Sequence, residues 1–167
     1  MAKISLRGQP VNTVGDLPEL GSEAPEFVLV DAKLRDRSLA EYGATKKLLS
    51  IVPSLDTPVC AKSTKTLNDL AAEFSDVAVL VVSADLPFAQ GRFCGIEKLK
   101  NLQALSTMRS LDFAQDYGVL MSDGPLAGLC ARAVLVLDEN NRVLHQELVA
   151  DITHEPDYSA IRAALSS

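Results

Sequence analysis

Two apolar runs, "LLSIV" at residues 48–52 and "VAVLVVSAD" at 77–85, constrain this chain more than any other feature. Each is nearly continuous rather than alternating. That is the pattern of a strand covered on both faces, and such strands belong to parallel sheets whose crossovers are helices. The segment between them supplies the crossover. Leu67, Leu70, Ala71 and Phe74 recur at helical spacing, while Lys62, Lys65, Asp69 and Glu73 are available for the wet side.

The same reading extends along the chain. "LPFAQGRFCGIEK" (86–98) is predicted as a helix opened by Pro87, "LQALST" (102–107) as a third strand, and "SLDFAQDYG" (110–118) as a short helix stopped by Gly118. After the loop "MSDGPLAG", the segments "ARAVLVLD" and "RVLHQELV" flank the turn "ENN" as a hairpin, and "PDYSAIRAALSS" closes the chain as a helix. Upstream, "KISLRG" and "VNTVG" flank Gln9 and Pro10 and suggest an N-terminal hairpin. "EFVLVDA" (26–32) alternates as a strand does, and "RSLAEYG" (37–43) follows a charged turn. The expected architecture is α/β: a central mixed sheet with helices on both faces, since the late hairpin adds antiparallel strands. With 167 residues and no repeat, low-complexity tract or linker, one domain over residues 1–167 is expected.

A net charge of −6 without any run of lysine or arginine argues against nucleic acid or anionic lipid as partner. "MAKISLRGQPVNTVG" has no apolar signal region, and no stretch approaches the ~18 apolar residues of a membrane span. Cytoplasm is the expected location. Three scattered cysteines, Cys60, Cys94 and Cys130, do not make a secreted disulfide framework. His145 and His154 have no zinc-type spacing to each other or to the cysteines, so no metal is expected. The absence of C-x-x-C disfavours a disulfide oxidoreductase of the thioredoxin type.

"PSLDTPVC" (53–60) leaves the strand at 48–52 through two prolines, an acid and a threonine. With Thr57 as N-cap, Pro58 falls at the first helical position, where its missing N–H costs nothing, and Cys60 is the third helical residue. Asp56 as the cap would shift the cysteine by one place but leave it in the first turn. There the unpaired N–H groups and the positive end of the helix favour a thiolate over a thiol. An ordinary thiol is only a few per cent ionised at neutral pH, and making it mostly thiolate takes about 3.4 kcal/mol. A helix end supplies ~0.3–1 kcal/mol, up to ~2 in favourable cases, and the charge of Asp56 works against it. A cation from elsewhere is required, and Arg132, between two alanines at the start of "ARAVLVLD", is the candidate. Cys60 as a small buried filler, Thr57 as a plain cap and Arg132 as a solvated strand end are the competing readings of the same residues.

The pattern P-x-x-x-T-x-x-C, with Pro53, Thr57 and Cys60, resembles the active-site signature of peroxiredoxins. "SADLPFAQGRFCG" (83–95) and "DGPLAGLCARAVLVLDENNRV" (123–143) resemble the bacterial thiol peroxidase branch, the atypical two-cysteine peroxiredoxins, and the similarity runs over nearly the whole chain. The resemblance implies a thioredoxin-like fold with an N-terminal β-hairpin extension. It also implies a peroxidase that works with protein thiols and no metal, haem or flavin. By position, Cys60 is the peroxidatic cysteine, Thr57 and Arg132 surround it, Pro53 shields it, and Cys94 is the resolving cysteine. Relatives are homodimers recycled by thioredoxin that reduce hydrogen peroxide and often favour organic hydroperoxides.

Cys94 lies inside the next predicted helix, whereas a disulfide needs Cα atoms roughly 4.4–6.8 Å apart, so one or both segments must unwind during turnover. Gly91 and Gly95 would ease that, each weakening a helix by ~1 kcal/mol, although Gly95 could equally be a C-cap. Gly91 stands where the branch is expected to carry a bulkier residue. Cys130 has no family role, and is either a buried filler or a second oxidisable thiol. Phe88 and Phe93 could line a pocket for an alkyl chain or belong to the core. A thioredoxin-like binding module with a structural Cys60, and a redox sensor that passes oxidation to a client, are the rival functions.

Overall fold

A computed structural model describes residues 1–167. Nine strands and four helices follow in the order β1 (Lys3–Leu6), β2 (Gln9–Asn12), β3 (Val28–Val30), β4 (Asp36–Ser38), β5 (Lys46–Ile51), α1 (Pro58–Glu73), β6 (Val77–Ser83), α2 (Pro87–Ile96), β7 (Gln103–Ser106), α3 (Asp112–Asp116), β8 (Ala133–Leu137), β9 (Val143–Leu148) and α4 (Tyr158–Leu165). Seven strands form one sheet in the order β4-β3-β7-β6-β5-β8-β9, and β1 and β2 pair separately. β5, β6 and β7 are parallel, while β8, β9, β3 and β4 join antiparallel, so the sheet is mixed as expected.

The continuous apolar strands are explained by what covers them. Alternate residues of β5, β6 and β8 point to opposite sides. Leu48, Val77, Val79, Val134 and Val136 face α1 and α4, meeting Leu67, Leu70, Ile161 and Leu165. Leu49, Ile51, Leu80, Val82, Leu135 and Leu137 face the other side, where α3 contributes Phe113 and the residues beside it include Phe27, Tyr117 and the hairpin residues Ile4 and Val11. Phe113 and Tyr117 stack at 4.5 Å, and Phe27 meets Phe113 edge-on. Burying each large apolar side chain contributes about 1.5–3 kcal/mol, so the two faces hold the central strands from both sides.

Two local details correct the sequence reading. The N-terminal turn falls at Arg7 and Gly8, both with positive φ (51° and 80°), not at Gln9 and Pro10. A two-residue turn of that hand matches the twist of the strands, and Pro10 sits harmlessly inside β2 opposite Ser5, because Ser5 directs its amide and carbonyl away from β2, to Ala150 and Ile152, so no ladder bond is forfeited at Pro10. Residues 36–38 add the edge strand β4, followed by a 3-10 turn over Leu39–Tyr42. As expected, Gly118 ends the α3 region. Its φ is +69°, and a Cβ there would lie 2.1 Å from the Asp16 carbonyl oxygen, so no other residue fits. No helix is long and apolar enough to cross a membrane.

Candidate active site

β5 is an interior strand of the sheet, between β6 and β8, and its pairing to β6 continues one residue further, with the Val52 amide donating to the Val82 carbonyl at 2.9 Å. Pro53 then turns the chain off the sheet. Ser54 organises the exit: its carbonyl accepts from the Thr57 amide (3.4 Å) and hydroxyl (3.2 Å), and its own hydroxyl accepts from the Asp56 amide (3.1 Å). Thr57 has extended backbone and is the N-cap, its oxygen accepting from the Cys60 amide at 3.3 Å, with Pro58 at the first helical position. Asp56 is exposed and does not cap. Cys60 is the third helical residue and is fully buried, beside Val52, Leu55 and Val81.

The cation comes from β8's approach, 72 residues away. Arg132 Nη2 lies 3.0 Å from Cys60 Sγ, and Nε donates to the Ile152 carbonyl at 2.9 Å. Ala131 and Ala133 are both fully buried in the main core on the opposite face of the chain, which leaves Arg132 directed toward Cys60. Arg132 Nη1 is buried and makes no hydrogen bond within the protein. A buried charged donor without a protein partner is costly, so Nη1 calls for an acceptor from outside the protein. A cleft of about 720 Å³ leads there, lined by Leu6, Arg7, Pro53, Thr57, Val59 and Arg132 together with Pro125, Leu126 and Ile152.

The N-terminal hairpin is part of this machinery, which sequence reasoning missed. Its residues Leu6 and Arg7 form one wall of the cleft. It also fixes the anchor of Arg132, because the Ser5 carbonyl accepts from the Ile152 amide at 2.9 Å. Asp151, next to Ile152, accepts from the Thr153 hydroxyl (2.5 Å), the Ser5 hydroxyl (2.7 Å), the Thr153 amide (2.9 Å) and the Gly8 amide (3.0 Å), and these bonds hold its carboxyl well below the usual carboxylate range. The D-x-T pattern at 151–153 signals the local turn. Nothing nearby in the sequence signals its reach to Ser5.

Cys94 is half-buried near the end of α2, and burial pushes its thiol up. It lines a different, smaller cavity with Asp31, Lys33, Arg35, Gln90 and Gly91, and no residue is shared with the cleft at Cys60. Phe93 and Leu102 pack against the Cys60 cluster. All three cysteines are free thiols. The structure thus brings Pro53, Thr57, Cys60 and Arg132 together and leaves Cys94 apart. Cys130 is buried in the main core, where burial pushes its thiol up to about 12. Neither phenylalanine lines the cleft: Phe88 is 67% exposed, and Phe93 faces the packing beneath Cys60.

A thioredoxin-like sheet carrying a buried cysteine in the first helical turn after an interior strand, with a guanidinium against the sulfur, defines a thiol-based oxidoreductase. The Redoxin family model matches residues 19–165. The chain is 48% identical to the thiol peroxidases of Mycobacterium bovis and Mycobacterium tuberculosis over all 167 residues, covering 100% of each chain. It superposes on a peroxiredoxin-like protein from Aquifex aeolicus with a TM-score of 0.93 at 38% identity, covering 99% of this chain and 96% of that one. A thiol peroxidase from Chromobacterium violaceum gives a TM-score of 0.92 at 27% identity over 98% and 95% of the two chains. The chain belongs to the Redoxin family, in its thiol peroxidase branch. Its activity is thiol-dependent reduction of peroxides.

Proposed function

We propose that Cys60 is the peroxidatic thiol and Cys94 the resolving thiol of a peroxidase that takes hydrogen peroxide and organic hydroperoxides and is recycled by thioredoxin. The observation that carries this is the 3.0 Å contact of Arg132 Nη2 with Cys60 Sγ, with Nη1 unpaired beside it. The Cys60 thiolate attacks one peroxide oxygen. An S–O bond forms, the O–O bond breaks, and the departing oxygen leaves as an alkoxide or hydroxide that takes up a proton. The guanidinium is charged throughout, so it stabilises the thiolate before the step and the developing oxyanion during it.

The Thr57 oxygen holds the first turn, and its hydroxyl hydrogen, given to the Ser54 carbonyl in the resting site, is a second donor once rotated toward the substrate. Pro53 closes the cleft behind the sulfur without adding a competing N–H. The apolar wall of Leu6, Val59, Pro125, Leu126 and Ile152 supports the reading that alkyl hydroperoxides are accepted.

The resulting sulfenic acid at Cys60 is attacked by the Cys94 thiolate. The S–S bond forms and hydroxide leaves as water, ahead of a second peroxide that would carry the sulfur irreversibly to sulfinic acid. A dithiol such as thioredoxin then exchanges with the disulfide. Because Cys60 is fully buried and Cys94 lines a cavity that shares no residue with the cleft at Arg132, one or both segments must give way for the disulfide to form.

Leu86 and Phe88 at the start of α2, and Met108 and Leu111 beyond β7, are exposed apolar residues. They follow the paired strand ends Ser83 and Ser106, which supports a homodimer joined at this end of the sheet. The chain acts as one thioredoxin-like domain across residues 1–167, in the cytoplasm.

Peroxide consumption with thioredoxin and its reductase tests the assignment. Cys60→Ser should abolish turnover, while Cys94→Ser should consume one equivalent rapidly and then stop. Turnover retained by Cys60→Ser would overturn it.

A further inference from the structure

α2 is held to the sheet in an unusual way. Of its residues only Pro87 and Gln90 are buried, and Gln90 is completely so. The Gln90 amide nitrogen donates to Ser83 Oγ and to the Leu105 carbonyl, both at 2.9 Å, while its Oε1 finds no partner in the protein. Ser83 Oγ donates in turn to Asp85 Oδ2 at 2.7 Å. The same carboxylate accepts from Ser54 Oγ at 2.7 Å and from the Leu55 amide at 2.8 Å. Ser54 is the residue whose carbonyl receives the Thr57 hydroxyl, and Thr57 caps the helix that presents Cys60. An unbroken series of hydrogen bonds therefore joins the Cys60 loop to the helix of Cys94: Thr57, Ser54, Asp85, Ser83, Gln90.

We infer that Gln90 and Asp85 are positioning residues that hold the Cys94 helix docked while Cys60 meets peroxide and set how readily it is released for disulfide formation. The inference rests on the proposed pairing of Cys60 with Cys94. Its physical basis is the kind of anchor used. A leucine at position 90 would lose its burial on release. An amide exchanges its two protein bonds for water, and Oε1 gains the partner it lacks, so this anchor opens at low cost. Leu86, the N-cap of α2, makes no side-chain cap bond, and Gly91 and Gly95 lie on either side of the stretch that leads to Cys94, so beside Gln90 the helix is held chiefly by the partly buried Phe93 against the Cys60 cluster and by the Lys65–Glu97 ion pair at its end. Asp85 belongs to both ends. It fixes Ser54 and Leu55 on the Cys60 side and orients Ser83 for Gln90 on the other.

The two residues should separate the two half-reactions. The full-length reduced protein is mixed with one equivalent of hydrogen peroxide, quenched with acid, alkylated and weighed by mass spectrometry. Gln90→Ala should form sulfenic acid at the wild-type rate and the disulfide about tenfold faster, the population change expected for losing two net hydrogen bonds. Its sulfinic acid fraction under excess peroxide should fall in proportion. Asp85→Asn should slow the first step and accelerate the second. An unchanged ratio of disulfide to sulfinic acid in a Gln90→Ala protein whose melting temperature has dropped would make Gln90 merely structural and overturn the inference. If the wild type forms no Cys60–Cys94 disulfide, the resolving assignment fails by itself. Hydrogen exchange of residues 87–96 in the reduced protein then decides the anchor. Exchange about tenfold faster than wild type in Gln90→Ala, with α1 unchanged, supports it; equal exchange in the two proteins overturns it.

Discussion

The two cysteines that the proposed mechanism joins sit on helices of opposite character. α1 runs sixteen residues from a threonine cap and a proline, and Leu67 and Leu70 lock it into the same core as Leu48, Val134 and Ile161. α2 runs ten residues, has no side-chain cap, holds two glycines and buries one proline and one glutamine. Each buried leucine of α1 is worth about 1.5–3 kcal/mol, and each glycine of α2 costs the helix about 1 kcal/mol. The sulfur that must be charged and aimed is therefore on the rigid element, and the sulfur that must travel is on the loosely held one. Local stability differs across a fold, and segments that move in function come from its weak end.

The comparison can be broken at its rigid side first. Arg132→Met keeps the bulk but removes the charge against Cys60, and single-turnover oxidation by hydrogen peroxide should slow by about 10²–10³-fold, the usual loss for a donor at a developing oxyanion. A loss below tenfold would mean that the helix end alone activates the thiol.

On the loose side, Gly95→Ala is predicted to act in the direction opposite to loosening. A Cβ at Gly95 meets nothing within 4 Å, so alanine should firm α2 by about 1 kcal/mol and slow disulfide formation about fivefold without touching the first oxidation. Acid-quench mass analysis reads both steps, and an unchanged second step would show that α2 does not have to unwind near Cys94.

Thr57→Val removes the cap from α1, and thermal unfolding should show a loss of about 1 kcal/mol, roughly 2–4 °C for a chain of this size. No shift would mean that Pro58 and the buried face suffice to start the helix.

The smallest effect concerns pH at the cavity of Cys94. Burial pushes the Asp31 carboxyl up, but the Arg35 amide, the Arg37 guanidinium and the Lys33 amide outweigh it and hold the group at about 2. A carboxyl depressed in the folded state adds stability above its unfolded value and loses it as pH falls through the folded one. The urea midpoint should therefore drop between about pH 4 and pH 2, and Asp31→Asn should flatten that part of the curve.

Much of this was legible in the residues. The apolar runs at 48–52 and 77–85 became the neighbouring parallel strands β5 and β6, because a strand covered twice has no polar face to show. T-P-x-C became a capped helix start with the cysteine in its first turn, since caps and prolines act on the backbone beside them. Gly118 ended its helix through the left-handed backbone that glycine adopts freely, a local signal, while the clash that bars any side chain there comes from distant Asp16.

Other features depended on where distant segments met. Arg132 reaches Cys60 across 72 residues, and its aim is set by Ile152, which is held by Ser5 from the other end of the chain. Gln90 looks like an ordinary helix residue until β6 and β7 enclose it, and Asp85 like an ordinary turn residue until Ser54 arrives. Short-range periodicity and capping are properties of neighbouring residues, so the order of amino acids decides them. Hydrogen bonds between elements exist only once packing has chosen which strands lie side by side, and that choice belongs to the tertiary structure.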